Sequence, residues 1–203
     1  YNISKYELIF MKKKIIITGG LGYIGTEICK LYSGVSWHHN IIVIDNRFIS
    51  ERVSQIRNWN MQFIHGDILD KDLVESQFKD ADIVHHLAGI TDVPRTKSES
   101  SNLKDEKIIE VGVEGTKNIL SVISNKCKII FPSTHVVFEG IKEVKKDIKE
   151  DEKTKPVLSY ASSKAINEKQ LKESGKNFII LRLGSVYGYS TDSMRIDITV
   201  SYT

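Results

Sequence analysis

The chain has 203 residues, 40% of them hydrophobic and 27% charged, which is the composition of an ordinary globular protein able to bury a substantial core. Its net charge of +3, with lysines interleaved among acids, argues against a nucleic-acid-binding protein that works through a basic stripe. Every apolar run is too short to span a bilayer, so the membrane is not predicted as a partner.

The first ten residues and the two cysteines indicate in which cellular compartment the protein is expected. Residues 1–10 lack the pattern of a secretory signal, and Met11 resembles a natural start just before the first strand, so we expect residues 1–10 to be an extension outside the fold. Cys29 and Cys127 show no paired spacing. Two free, reduced core thiols in a cytoplasmic protein are therefore predicted, in preference to a disulfide.

Strand-like runs alternate with helix-length segments along the chain. The predicted strands are residues 13–18, 41–45, 62–65, 83–87, 128–132 and 178–183, and the predicted helices are 23–33, 105–124 and 158–172. Several strands are continuously apolar, as expected when helices cover both faces of a parallel sheet. The alternation predicts an α/β fold with a doubly wound parallel sheet and right-handed crossovers, and the charged stretch 142–155 is predicted to be a solvated loop.

The first predicted strand runs directly into a glycine-rich turn, Thr-Gly-Gly-Leu-Gly-Tyr-Ile-Gly, at 18–25. In such a turn one glycine permits the tight bend, one lets the backbone approach a pyrophosphate, and the last lets the helix pack on the strand. The helix N-terminus adds free N–H groups and a partial positive charge. Asp45 ends the second strand twenty positions later, where a carboxylate would accept ribose hydroxyls. A dinucleotide site is predicted from the candidate residues Gly19, Gly22, Tyr23, Ile24, Gly25, Asp45 and Asn46.

Asp67 follows the third strand, and its role has two interpretations. Its carboxylate is placed to accept a hydrogen bond from an adenine amino group, or it is a turn aspartate that caps the next helix. The sequence alone leaves both open.

Leu87, Ala88 and Gly89 close the fourth strand, and the two small residues would let a cofactor lie against the backbone. The preceding pair, His85 and His86, suggests a metal site. Successive strand residues point to opposite faces, however, so the two imidazoles are not expected to share one ion and no metal is predicted.

Tyr160 and Lys164 are four residues apart in a predicted helix and therefore share a face. An ammonium beside a phenol favours the phenolate, which makes a tyrosine able to exchange a proton with a substrate hydroxyl while a hydride moves to or from a nicotinamide. Thr134, at the end of the fifth strand, is placed to hold the same substrate oxygen. These three residues are the candidate catalytic group.

The chain resembles the extended short-chain dehydrogenases/reductases, in the NAD-dependent sugar epimerase/dehydratase group. The resemblance is carried in order from residue 12 to about 188. The matching residues are the turn 18–25, Asp45, Gly66-Asp67-Ile68, His86-Leu87-Ala88-Gly89, Gly115-Thr116, Ser133-Thr134, 160–164, Leu181-Arg182 and Val186-Tyr187-Gly188. It implies a Rossmann fold with NAD as the cofactor, and a nucleotide sugar or related small molecule as the substrate.

The resemblance also implies residue roles. Tyr160 would be the catalytic acid/base, Lys164 its ribose-binding partner and Thr134 the third member, with Asp67 and Ile68 at the adenine. The expected function is an NAD-dependent nucleotide-sugar epimerase or oxidoreductase. A 4-keto-sugar reductase, which 133–140 also resembles, and a non-catalytic NAD-binding fragment are the alternatives; a homodimer is left open.

Three departures from the family pattern stand out. Gly112 replaces an asparagine that is usual before Gly115, and His135 and Val136 replace the Asp-Glu pair with which 4,6-dehydratases carry out elimination. The family's substrate-binding domain is expected to be largely absent. We therefore predict a Rossmann domain over residues 11–190 and the start of a truncated substrate-binding region over 191–203, and the activity of the chain alone is open.

Overall fold

The computed structural model describes residues 12–91, 101–143 and 146–186. The predicted extension at 1–10, the region 191–203 and the motif residues Tyr187 and Gly188 lie outside the described residues.

Six strands form one parallel sheet in the order β3-β2-β1-β4-β5-β6. The strands are β1 (Lys14–Thr18), β2 (Asn40–Asp45), β3 (Gln62–His65), β4 (Ile83–His86), β5 (Lys128–Thr134) and β6 (Asn177–Leu183). The helices are α1 (Tyr23–Tyr32), α2 (Ser50–Asn58), α3 (Lys71–Phe78), α4 (Asn102–Ile109), α5 (Gly115–Val122) and α6 (Ser159–Glu173). This is the predicted doubly wound Rossmann fold, whose strand order reverses between β1 and β4.

The two faces of the sheet carry separate apolar cores. Ile17 and Val43 pack beneath α1 and α2, whereas Ile16 and Phe131 belong to the larger core under α3, α5 and α6. Strict alternation along each buried strand divides its side chains between the faces. Cys29 and Cys127 are free and buried, one in each core, as predicted. Among the described helices, none is long and apolar enough to cross a membrane.

The predicted helix over 105–124 is interrupted. A π-helical segment, Glu110–Glu114, separates α4 from α5 and centres on Gly112. The carbonyl of Gly112 accepts hydrogen bonds from the hydroxyl of Thr116 at 2.7 Å and from Asn167 Nδ2 at 2.9 Å. A Cβ on Gly112 would overlap Ser163 Oγ, so the glycine lets this segment lie directly against α6.

Strand β5 continues to Thr134, two residues beyond the predicted end at Pro132. Its pairing is unequal, because it pairs with β6 over all seven residues but with β4 only as far as Ile130. Pro132 has no N–H to donate within a sheet. The strand tolerates the proline because β4 is no longer its partner there. Beyond Ile130, β5 therefore continues beside β6 alone.

One part of the sheet is uncovered. Ile179 and Leu181 of β6 are 40% and 44% exposed, next to the half-buried Ile130 and Pro132 of β5. These four residues form what we call the β5–β6 face. It lies on the side of the sheet that carries α1 and α2, and no helix within the described ranges lies over it.

Candidate active site

The glycine turn is built as the sequence predicts. Gly19 has φ +65°, and a Cβ there would lie 2.8 Å from the amide nitrogen of Ala88. A Cβ on Gly25 would overlap the carbonyl oxygen of Gly19, so close packing of α1 on the turn requires glycine. Gly22 is the N-cap residue of α1, and it makes no side-chain hydrogen bond to that helix terminus. The first amide groups of α1 thus lie where an anion is favoured.

Asp45 joins the turn to the end of β2. Its buried carboxylate accepts from the backbone N–H of Leu21 at 2.9 Å, from the backbone N–H of Arg47 at 3.0 Å and from Arg47 Nε at 3.4 Å. The guanidinium of Arg47 lies 3.7 Å from where a Cβ on Gly22 would be, and buried Arg52 donates to the carbonyl of Leu21. The sequence analysis identified the acid but missed Arg52, whose helical position thirty-one residues from the turn gave no signal.

Asn46 and Asp67 meet across the ends of β2 and β3. Asn46 Nδ2 donates to one carboxylate oxygen of Asp67 at 3.0 Å, and the other accepts from the N–H of Leu69 at 2.9 Å. The cap of α3 is Asp70, which accepts from two amides of the first turn, so the interpretation of Asp67 as that cap is wrong. Ile68 is buried in the larger core, and its contact with a cofactor stays a prediction.

Leu87, Ala88 and Gly89 form a wall on the other side of the turn. The N–H groups of Leu87 and Ala88 both donate to Thr18 Oγ1, at 3.1 and 3.0 Å. Among the described residues, no atom lies within 4 Å of where a Cβ on Gly89 would be. We call these three residues the cofactor wall, after the role predicted for them from the sequence.

The candidate catalytic residues lie beside the carboxyl end of β5. Lys164, on α6, is 8% exposed; its Nζ donates to the carbonyl of Pro132 at 2.9 Å and lies 5.9 Å from the ring centroid of Tyr160. Burial lowers the pKa of Lys164 to about 8. Thr134 ends β5, and its hydroxyl oxygen accepts from the N–H of Val136 at 3.3 Å. The structure thus brings Tyr160 and Lys164 together as the helical spacing predicts.

An ion pair that joins α6 to β6 was not predicted. Arg182 of β6 makes two hydrogen bonds, of 2.9 and 2.7 Å, to the carboxylate of Glu168 on α6, which also accepts from Ser133 Oγ at 2.6 Å. Burial would raise the pKa of Glu168, but the hydrogen bonds from Arg182 and Ser133 outweigh it and hold that pKa below its ordinary value. The hydroxyl of Ser133 is therefore bound to Glu168 of α6. Of the two adjacent hydroxyl residues Ser133 and Thr134, Thr134 is the one that remains a candidate for substrate contact.

The segment after Thr134 has no carboxylate at the two positions used for elimination. His135 contacts the carbonyl of Leu183 at 3.2 Å. Glu139, the next acid along the chain, accepts from the N–H groups of Val157 and Leu158 at 2.6 Å each, and so organises the start of α6. The predicted departure from the dehydratases is therefore present in the described site.

The strand order, the glycine turn at the end of β1 and the Tyr-Lys pair beside the end of β5 define a Rossmann-fold protein of the short-chain dehydrogenase/reductase class. The sequence model of the NAD dependent epimerase/dehydratase family matches residues 15–200, and the chain belongs to this family of enzymes.

Relatives of known or assigned activity agree with this placement. A putative UDP-glucose 4-epimerase of Methanocaldococcus jannaschii is 31% identical over 186 residues, which cover 88% of this chain and 57% of the relative. A UDP-N-acetyl-alpha-D-glucosaminuronate decarboxylase of Bacillus cytotoxicus is 34% identical over 130 residues, covering 63% of this chain and 38% of the relative.

Solved structures show the same fold. The Bordetella bronchiseptica enzyme WbmH, in complex with NAD+, superposes with a TM-score of 0.73 at 27% identity, over 90% of this chain and 59% of WbmH. A UDP-N-acetylglucosamine 4-epimerase of Methanobrevibacter ruminantium, in complex with UDP-N-acetylmuramic acid, gives a TM-score of 0.67 at 27% identity, over 84% of this chain and 54% of the epimerase. The chain spans roughly half the length of these relatives.

Proposed function

We propose that this chain is the NAD-binding and proton-transferring part of a nucleotide-sugar epimerase or oxidoreductase. The observation that carries the proposal is the meeting, at one edge of the sheet, of a glycine turn that excludes side chains and a buried lysine paired with a tyrosine. Relatives whose printed descriptions name UDP-sugars as substrates or ligands support the substrate class.

The residues present fit a dinucleotide. The turn offers amide groups of α1 to a pyrophosphate, because Gly22 leaves the helix terminus without a side-chain cap. Asp45 is placed to accept from a ribose, sharing its carboxylate with Arg47, and Asn46 with Asp67 would face the adenine end. When bound, the nicotinamide supplies a hydride acceptor and donor.

The chain's own groups would move the proton. Tyr160 would take a proton from a sugar hydroxyl or return it, and the ammonium of Lys164 would stabilise the phenolate. Thr134 would hold the reacting oxygen. The absence of the Asp-Glu pair at His135 and Val136 restricts this chemistry to oxidation and reduction of one sugar carbon, with or without inversion.

Cofactor binding is tested on the chain as it stands. We expect tighter binding of NADH than of NADPH, because the carboxylate of Asp45 would repel a 2′-phosphate. Fluorescence titration with both cofactors measures this, and Asp45→Asn should narrow the difference between them. Tighter binding of NADPH by the parent would contradict the assignment, and absence of binding to either would remove the proposed function.

Turnover is tested in a fusion of this chain with the C-terminal part of the Methanocaldococcus relative, assayed on UDP-glucose and UDP-galactose. Tyr160→Phe should remove nearly all turnover and leave NADH affinity almost unchanged, since the phenol acts on the substrate. Lys164→Met should lower both the turnover and the affinity for NADH. Near-normal turnover in the Tyr160→Phe fusion would remove this residue from the mechanism.

A further inference from the structure

His86, at the end of β4, is 1% exposed, and the proposed mechanism gives it no part. Its ring bridges two hydroxyls: Nδ1 lies 3.1 Å from Thr18 Oγ1, and Nε2 lies 2.9 Å from Thr116 Oγ1. Its neighbour His85 contacts the hydroxyl of Tyr32 on the opposite face of the sheet, at 2.9 Å. The two histidines therefore belong to different surroundings, as the alternation of strand residues predicts.

Thr18 fixes the state of Nδ1. Its oxygen already accepts the N–H groups of Leu87 and Ala88, so both lone pairs of the hydroxyl are used. The hydroxyl hydrogen can then only be donated, and His86 Nδ1 is the acceptor beside it. Nδ1 must therefore carry no hydrogen.

Thr116 independently fixes the state of Nε2. Its hydroxyl donates to the carbonyl of Gly112 at 2.7 Å, and its oxygen accepts from Asn167 Nδ2 at 3.0 Å. Toward His86 the hydroxyl can only accept, so Nε2 must carry the hydrogen. Both ends of the ring require the same neutral tautomer.

The chain of hydrogen bonds joins the two halves of the proposed site. At one end Thr18 holds two amides of the cofactor wall; at the other end Asn167 lies on α6, three residues after Lys164. Phe131 contacts both His86 and Lys164. Its ring centroid lies 5.6 Å from that of His86 and 4.4 Å from Lys164 Nζ. Burial, together with the charge of Lys164, lowers the pKa of His86 to about 3, so the ring adds no second charge beside the ammonium.

We propose that His86 is a positioning residue that, as the neutral Nε2–H tautomer, fixes α6 against the cofactor wall. This inference rests on the proposed function, since the wall and the helix matter for catalysis only if they hold the cofactor and the acid/base pair. The tautomer itself is a property of the protein without any ligand.

Nitrogen-15 NMR of the imidazoles in the parent protein tests the tautomer. We expect one ring, assigned by its loss in His86→Phe or His86→Asn, with an unprotonated hydrogen-bonded Nδ1 and a protonated Nε2. A protonated Nδ1, or averaging between two tautomers, would overturn the proposal. Because this measurement needs no cofactor, its failure is distinct from a failure of the proposed function, which would appear as no NADH binding by the parent.

Cofactor affinity tests the positioning role. His86→Phe, which removes both hydrogen bonds, should weaken NADH binding about 10-fold or more, as expected for buried partners left unpaired. His86→Asn places an oxygen near the position of Nδ1 and should recover part of that loss. His85→Phe is the matched control on the opposite face and should bind NADH like the parent. Parent-like affinity in His86→Phe would overturn the proposal, and if that variant does not fold, the affinity of His86→Asn relative to His85→Phe decides.

Discussion

Gly22 is the residue at which the turn, the helix terminus and the proposed pyrophosphate site coincide. A Cβ there would lie 3.1 Å from the carbonyl of Gly19, tighter than ordinary packing but not an overlap. The main reason for a glycine at this position is the N-terminus of α1 beside it. A side chain at residue 22 would occupy the space in front of the helix amides.

We predict that Gly22→Val lowers NADH affinity by at least about 100-fold, equivalent to ~2.7 kcal/mol, while the protein stays folded. Gly34 is the matched control, because a Cβ at that position would meet no atom of residues 12–91, 101–143 or 146–186 within 4 Å. Gly34→Ala should bind NADH as the parent does. Titration and circular dichroism of both variants check this, and retained NADH affinity in a folded Gly22→Val would contradict it.

At the residue scale, the sequence predicted those contacts that depend on residues a few positions apart. Tyr160 and Lys164 were identified because four residues of helix place them on one face. Glu168 and Arg182 were missed because their pairing depends on how α6 packs on β6, which no local pattern reports. The tautomer of His86 follows only from the four other hydrogen bonds of Thr18 and Thr116, so it was likewise beyond the sequence.

At the scale of elements, a close contact between α6 and the π-helical segment depends on a glycine. Gly112 faces Ser163 Oγ, with Ser163 Cβ at 3.4 Å from the position of a Cβ on the glycine. The asparagine usual in the family at residue 112 would therefore require α6 or Ser163 to move.

We predict that Gly112→Ala destabilises the protein by about 1–2 kcal/mol, the cost of an added methyl in a packed core. In a Ser163→Ala background the overlapping hydroxyl is absent, so the same substitution should cost less than about 0.5 kcal/mol. A double-mutant cycle from urea unfolding measures the difference. Equal costs in the two backgrounds would show that Ser163 is not the limiting contact.

The Arg182–Glu168 pair holds α6 on β6. Arg182→Ala would leave a carboxylate that is only 2% exposed without its strongest partner, at a cost of about 3 kcal/mol. Lys169→Ala is the control, since Lys169 and its partner Glu173 are 73% and 66% exposed and such surface pairs contribute little. Chemical denaturation of both variants checks this, and similar small losses in the two would contradict it.

The Arg182–Glu168 pair also makes the stability of the protein depend on pH. Because the pKa of Glu168 is below its ordinary value of 4.5, the folded state binds fewer protons there than the unfolded state. Its contribution is fully present above pH 4.5 and is lost as the pH falls through the folded pKa. We expect the stability difference between the parent and Arg182→Ala to shrink below pH 4.5, as measured by unfolding at several pH values. A difference that is constant with pH would contradict this.

The sequence predicted the helices and strands well where burial of apolar residues determines them. It predicted them poorly where contact with a residue distant in sequence determines them. All six strands and the helix α6 were located from apolar runs and spacing. The π-helical segment was missed because Gly112 looks like any helix glycine until Ser163 is opposite it. Strand β5 runs two residues past the predicted bound at Pro132, because a proline stops a strand only where a partner needs its N–H.

At the scale of the whole molecule, the β5–β6 face is the largest departure from a doubly covered sheet among the described residues. Parallel sheets are normally buried on both faces, and exposed contiguous apolar surface promotes association. We predict that Ile179→Lys with Leu181→Lys reduces concentration-dependent self-association of the isolated chain, with a change in stability under about 0.5 kcal/mol.

Leu103→Lys is the matched control, because Leu103 is 81% exposed on α4, away from this face. Sedimentation velocity over a range of concentrations distinguishes the variants. Unchanged association in the double variant, or an equal reduction in Leu103→Lys, would show that the β5–β6 face is not responsible.

The end of the β4–β5 pairing at Ile130 leaves the carboxyl end of β5 hydrogen-bonded to β6 alone. The carbonyl of Pro132 is satisfied by Lys164. A molecule that binds between Lys164 and the end of β4 would therefore break no strand–strand hydrogen bond, so its affinity would not be reduced by the work of opening a sheet. Amide hydrogen exchange in β4 and β5 should accordingly be almost the same with and without NADH, with the change confined to the loops at the carboxyl ends of these strands.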